Sequence, residues 1–196
     1  MILSNVELHR ALDAGDIVIA PEPNPRLPSL ANPRSPYDTT AVNLTLSSSL
    51  SVSIDNPPMA FDLRKPGIVK LLTSVYQAKE IDPDGGYSLP PGRFVLGNTI
   101  ETIELPIREG RPVYAARVEG RSSFARCGLL IHFTAPTIHA GFMGTITFEI
   151  MNLGKSDILL STGLPIAQLI FETVLGTPVR ADSQFHGQRT PPGSSG

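Results

Sequence analysis

The chain has 196 residues, 41% of them apolar, and a formal net charge of −2; that is enough for one sizeable core and short for two, and the near-neutral balance gives no electrostatic reason to expect a nucleic-acid or membrane partner. A single cysteine, Cys127, excludes an internal disulfide and fits a reducing compartment, while no apolar run approaches the ~20 residues that span a bilayer and no signal-peptide pattern opens the chain, so a cytoplasmic protein is expected. With 17 Gly, 19 Pro and no Trp, the composition favours an all-β domain with many turns over a helical bundle.

Taken in chain order, Ser4-Asn5-Val6-Glu7 has the Ser-x-x-Glu spacing of a capping box, and Leu8, Ala11 and Leu12 supply the apolar side of a short helix. Ile17-Val18-Ile19 reads as a short buried strand. Six prolines between Pro21 and Pro36 predict an extended surface segment without regular structure. Val42, Leu44 and Leu46, then Leu50, Val52 and Ile54, alternate with polar residues and predict a strand or hairpin. Residues 66–82 are ambiguous between loop and short helix.

"SLPPGRFVLGNTIETIELP" (88–106) is a turn followed by a strand, and "VYAARVEG" (113–120) is another. "GLLIHFTA" (128–135), "TITFEI" (145–150), "DILLS" (157–161) and "IAQLIFE" (166–172) continue the series at a spacing of roughly ten residues, the rhythm of a sandwich or barrel. "TIHAGFMG" (137–144) before "TITFEI" predicts a tight hairpin, with Gly141 and Gly144 letting backbone approach a ligand. The domain is expected over 1–175. Residues 176–196 lose the alternation and end in "TPPGSSG", the composition of a disordered tail or a flexible lid.

Two features carry chemistry. Glu149 occupies the polar face of the alternating strand, where Thr or Ser is usual and Glu is not favoured; it is either a solvated charge or a carboxylate held in a pocket. In "EGRSSFARCG" (119–128), Arg121, Ser122, Ser123 and Arg126 directly follow a strand. The arginines offer forked donors suited to carboxylate or phosphate, and the serines add hydroxyls. The same four residues also suit a helix cap with ordinary surface charges.

Together, "EGRSSFARCGLLIHFTAPTIHAGFMGTITFEIMNLG" (119–154) and "GLPIAQLIFE" (163–172) resemble the dCTP deaminase branch of the dUTPase superfamily. "SLPPGRFVLGNTIE" extends the likeness, as do more loosely "YDTTAVNLTLSSSL" (37–50) and "SQFHGQR" (183–189). The resemblance implies an all-β, distorted jelly-roll or barrel subunit with a short N-terminal helix, forming a homotrimer with sites between subunits. It implies Glu149 as general base, Ser122 and the backbone of Ala135 positioning the attacking water, and Arg126 in the base pocket. Arg121, Ser123 and the tail's Gln188 would bind a Mg²⁺-triphosphate. His132 and Thr134 would shape the pocket, with His139, Phe142 and Gln168 as further substrate-binding positions. The implied ligand is a deoxyribonucleoside triphosphate: dCTP, with dUTP and dTTP as further candidates.

Deaminating cytosine needs a water activated for attack at C4, then protonation of N3 and of the departing amine. A shielded carboxylate can act as base and then acid. Zinc deaminases instead use His/Cys/Cys or Cys₃ ligands, and one cysteine cannot supply them, so a zinc-free route through Glu149 is the deaminase reading this chain permits, with Mg²⁺ entering on the phosphates.

The sequence departs from the family pattern at His139, where both branches carry Asp, at Gln184 in place of Lys, at Phe185 in place of an aromatic that is often Tyr, and at Thr137 in place of Arg. Imidazole brings no negative charge to a Mg²⁺-bound water. Three readings follow: a dCTP deaminase, a dUTP diphosphatase or bifunctional enzyme, and a non-catalytic nucleotide-binding trimer.

Overall fold

The structure, a computed structural model, describes residues 1–55, 60–62, 64 and 68–179. Gln188 and nearly all of the expected lid, residues 180–196, lie outside the described residues. Helix α1 (Asn5–Asp13) begins where the capping pattern places it, with the Ser4 hydroxyl accepting the Glu7 N–H at 3.3 Å. The return half of the box is not made, because the Glu7 carboxylate pairs with Arg10. Leu8 and Ala11 are buried.

The strands follow as β1 (Val18–Ala20), β2 (Val42–Ser53), β3 (Tyr76–Glu80), β4 (Tyr87–Leu89), β5 (Phe94–Glu104), β6 (Tyr114–Gly120), β7 (Leu129–Leu130), β8 (Thr137–Ile138), β9 (Met143–Asn152), β10 (Ile158–Leu160) and β11 (Pro165–Thr173); helices α2 (Ile68–Val75) and α3 (Ser122–Ala125) precede β3 and β7. Of the two possibilities for residues 66–82, the short helix is realised as α2, and the strand β3 that follows it directly was not expected. The alternation from Val42 forms one long strand, β2, that ends at Ser53, rather than a hairpin. No turn chemistry interrupts "SSS", and polar side chains are tolerated on its outer face.

Among the described residues, one large sheet has the order β7-β9-β5-β2-β11-β6-β8, with β1 added beside β5 and β3 beside β2. β4 and β10 pair separately. The sheet is curled into a half-barrel, and chain length shows why. Laid flat, the seven strands from β7 to β8 would span about 29 Å, at about 4.8 Å per gap. Residues 131–136 alone join these two edges, and such a link reaches at most about 24 Å. The sheet must therefore bend, and its concave side holds Leu44, Leu46, Val95, Phe148, Ile150, Leu169 and Phe171, all essentially inaccessible to solvent.

Two expectations fail at this seam. The strand expected over 128–135 stops at Leu130. With Leu130 opposite Met151, Glu149 would next face His132, but its N–H bonds the Ile131 carbonyl at 3.1 Å, one residue early. From there the chain leaves the ladder. The hairpin expected between 137 and 150 does not form either. β8 pairs with β6 and β9 with β5, and residues 139–142 are a corner between them, sewn to Leu105 by Gly141 N–H to Leu105 O (2.7 Å) and Leu105 N–H to Phe142 O (2.9 Å). The glycine pattern marked the turn correctly but not the strands it joins.

The middle of β5 departs from even pairing, with register shifts against both β2 and β9. Buried side chains take over the ladder there. The Thr99 hydroxyl accepts from Ile146 N–H (2.9 Å) and donates to Glu101 O (2.5 Å), and the Glu101 carboxylate accepts from Thr45 N–H (3.0 Å) and Thr45 Oγ1 (2.7 Å).

Gly128 closes α3 at φ +93°, where a Cβ would stand 2.3 Å from the Gly154 nitrogen. Gly110, at φ +69°, has open space around the equivalent position. Gly110→Ala is expected to cost about 1 kcal/mol for the left-handed backbone alone, and Gly128→Ala at least about 2 kcal/mol more, because backbone must move. Denaturant midpoints of the two variants check this, and equal losses would show that the Gly128 contact is not tight.

Candidate active site

β9 alternates without a break, with Ile146, Phe148 and Ile150 inward and Thr145, Thr147, Glu149 and Met151 outward. Glu149 is consequently on the convex face, yet it is only half-exposed, because the segment leaving β7 folds back along it. The Glu149 carboxylate accepts the Phe133 N–H at 2.9 Å. A backbone donor aimed at a carboxylate holds it in one orientation. Opposite Glu149 on β5 is Leu96, 7% exposed, so the stem of the acid lies against apolar surface. The Phe133 ring meets Phe94 edge-on, with centroids 5.6 Å apart. The phenol of Tyr76, at the start of β3, is held above its ordinary pKa by burial and then by the negative charge of Glu149.

Ala135 and Thr134 lie on the same crossing segment and are exposed. His132 is half-buried, its Nε2 3.8 Å from the Glu119 carboxylate and its Nδ1 buried without a hydrogen-bond partner among the described residues. Gln168, half-buried on the outer side of β11, stands between Asn43 of β2 and Glu119 of β6.

The second cluster is built on α3. Arg121 is its N-cap residue and is pinned, donating from Nη1 to Pro165 O at 3.1 Å and lying 5.5 Å from the Phe124 ring centroid. Ser122 and Ser123 open the helix and are exposed. Arg126 is its C-cap, exposed and without an ion pair among the described residues. The cluster is set by backbone contacts with the loop after β9: Leu153 N–H bonds Gly128 O at 2.8 Å. That loop is shaped by the buried Asn152 amide, whose Nδ2 donates to Leu89 O and Ser156 O while its Oδ1 accepts Gly154 N–H.

Within one chain the residues fall into separate groups. Glu149, His132, Thr134 and Ala135 share the seam; Arg121, Ser122, Ser123 and Arg126 share α3; no described hydrogen bond or ion pair joins the two. His139 and Phe142 form a third group at the opposite end of β9. His139 is exposed and Phe142 packs against the core, with the Phe142 N–H on His139 O at 3.1 Å. Sequence reasoning missed Phe133 as the partner of Glu149, Tyr76 as a neighbour, and Asn152 as the organiser of α3. The Asn that ends an alternating strand before Leu-Gly was a legible signal for Asn152; the other two carried none. Among the described residues no group of three or more His, Cys, Asp or Glu side chains is arranged to hold a metal ion, and no helix is long and apolar enough to cross a membrane.

Comparison with known proteins places this arrangement. The family model described as dCTP deaminase-like matches residues 2–174. A "dCTP deaminase, dUMP-forming" of Beutenbergia cavernae is 38% identical over 168 residues, covering 81% of this chain and 83% of the relative. A protein of the same description from Dictyoglomus thermophilum is 32% identical over 199 residues, covering 99% and 94%. The crystal structure of 2′-deoxycytidine 5′-triphosphate deaminase from Agrobacterium tumefaciens superposes with a TM-score of 0.59 at 17% identity, a likeness of fold; it covers 87% of this chain, which spans 47% of that one. With the match running from the second residue through the whole of β11, the chain belongs to the dCTP deaminase-like family.

Proposed function

We propose that the chain hydrolyses the exocyclic amine of dCTP, releasing dUTP and ammonia, with Glu149 as the general base. The observation that carries this reading is the Glu149 carboxylate itself: half-buried on a convex sheet face, backed by Leu96 and aimed by the Phe133 N–H. Surface acids such as Asp38 and Asp82 take backbone donors from within three residues of themselves, whereas the donor to Glu149 comes from a different segment of the fold. In the proposed step Glu149 takes a proton from water as its oxygen bonds to cytosine C4. The same proton then passes to N3, the second proton of the water leaves with the amine as ammonia, and a C4 carbonyl remains. Ser122 and the Ala135 backbone position the water, Arg126 faces the base, and Arg121 and Ser123 hold the triphosphate with its Mg²⁺, which enters as part of the substrate. The single cysteine in the sequence supports a route without a Cys-containing zinc site.

The separation of α3 from Glu149 within one chain supports a site completed by a second copy, as in a homotrimer. An exposed pair of serines and an Arg126 without an ion pair among the described residues are suited to reach the Glu149 region of a neighbouring subunit.

A second reading has its own support. Two relatives are described as dUMP-forming, so dUTP formed here would go on to dUMP and pyrophosphate. His139 bears on that step, since the family pattern places an acid there and imidazole brings no negative charge.

Glu149→Gln is expected to lower ammonia release from dCTP by about 10²–10⁴-fold, the range attributable to a general base, with the thermal midpoint and dCTP binding retained. Ammonia production at the wild-type rate would remove Glu149 from the mechanism. His139→Asp is expected to raise pyrophosphate release from dUTP in the presence of Mg²⁺, and an unchanged rate would show that this position does not limit it.

A further inference from the structure

Of the α2–β3 unit only Tyr76 has entered the site so far, and the sheet carries it onto the same face as Glu149. In register, Glu149 faces Leu96, Leu96 faces Ser51, and Ser51 faces Ala78; one row along, Met151 faces Phe94, and Tyr76 faces Ser53. Residues opposite each other in a sheet project to one side, and so do residues two apart. Tyr76, Ser51, Ser53, Phe94, Leu96 and Glu149 therefore share the convex face. β3 and β9 are three strand spacings apart, about 14 Å, and between them lie two serines that leave the surface low. Ser51 is nonetheless only 4% exposed and Leu96 7%, so this strip is covered. Tyr76 is half-buried, and its phenol is held above its ordinary pKa first by that burial and then by the charge of Glu149, so the two groups are within electrostatic reach across the shared face. Phe94 and Phe133, in edge contact, close the adjoining side.

We infer that Tyr76 is a positioning residue of the Glu149 site, its ring roofing the Ser51–Leu96 strip so that the carboxylate meets one bound water instead of bulk solvent. This rests on the general-base reading of Glu149. Keeping bulk water off a base strengthens its interaction with the single proton it removes and holds it at the distance the transfer needs. It contributes little to binding a triphosphate held elsewhere. The ring does this work; the hydroxyl serves as the polar tip at its solvent edge.

The full chain is assayed for ammonia release from dCTP with Mg²⁺ as wild type, Tyr76→Phe, Tyr76→Ala and Glu149→Gln, each checked by thermal unfolding. Tyr76→Ala is expected to lower kcat about tenfold, the order that follows from a loosened reacting geometry, with KM within about twofold of wild type, and Tyr76→Phe to restore kcat to within about twofold. Should Tyr76→Ala melt below the assay temperature, Tyr76→Leu, with apolar bulk but without the reach, replaces it under the same expectation. A wild-type kcat in the truncated variant, a loss confined to KM, or a Phe variant as impaired as Ala overturns the role of Tyr76. Those results beside an inactive Glu149→Gln overturn this inference alone; a fully active Glu149→Gln, or a wild-type chain that releases no ammonia, overturns the reading beneath it as well.

Discussion

The bond from the Phe133 amide to the Glu149 carboxylate stands at the one place where the sheet has to close on itself. Six residues carry the chain from β7 at one edge to β8 at the other, and at that crossing the backbone has already lost its ladder partner. A side chain takes over the role that a strand carbonyl would have had. The crossing segment is thereby held to β9 at Phe133 and to β6 at Pro136, whose carbonyl accepts Val118 N–H at 2.9 Å. Closure of the fold and orientation of the acid are a single interaction, which explains how a glutamate can persist in the middle of a strand where its propensity is poor.

The same economy recurs in β5. An interrupted ladder leaves N–H groups that water cannot reach, and such groups must find partners. Thr99, Glu101 and Thr45 provide them from within the sheet. Asn152 does the equivalent at the end of β9, satisfying three backbone groups with one amide. Each device gives backbone groups a partner where the sheet bends or stops, although the Asn98 Oδ1 in the same stretch of β5 is buried without one among the described residues.

What could be read from the residues was whatever depends on neighbours in sequence. The Ser4 cap, the alternation through Glu149, and the short strand read at Ile17–Ile19 each rest on local spacing; the first two are present and the strand lies one residue on, at Val18–Ala20. What could not be read depends on partners far away. The strand over 128–135 ends early because Glu149 competes for its backbone, and the glycine-marked turn joins two strands that pair elsewhere. Periodicity reports which face a residue takes; it is silent on which strand lies beside it. The site divided along the same line: Glu149 and the Arg-Ser-Ser segment stood out by type and spacing, while Tyr76 becomes relevant only through the register of four strands.

The close approach of Gly128 to Gly154 reaches further than stability. α3 is fastened to the sheet by main chain against main chain at this point, and the Arg121 bond to Pro165 O and the packing of Phe124 on the core add side-chain anchors. The exposed side chains of Ser122, Ser123 and Arg126 take no part in that anchoring among the described residues, so they can change without unseating the helix.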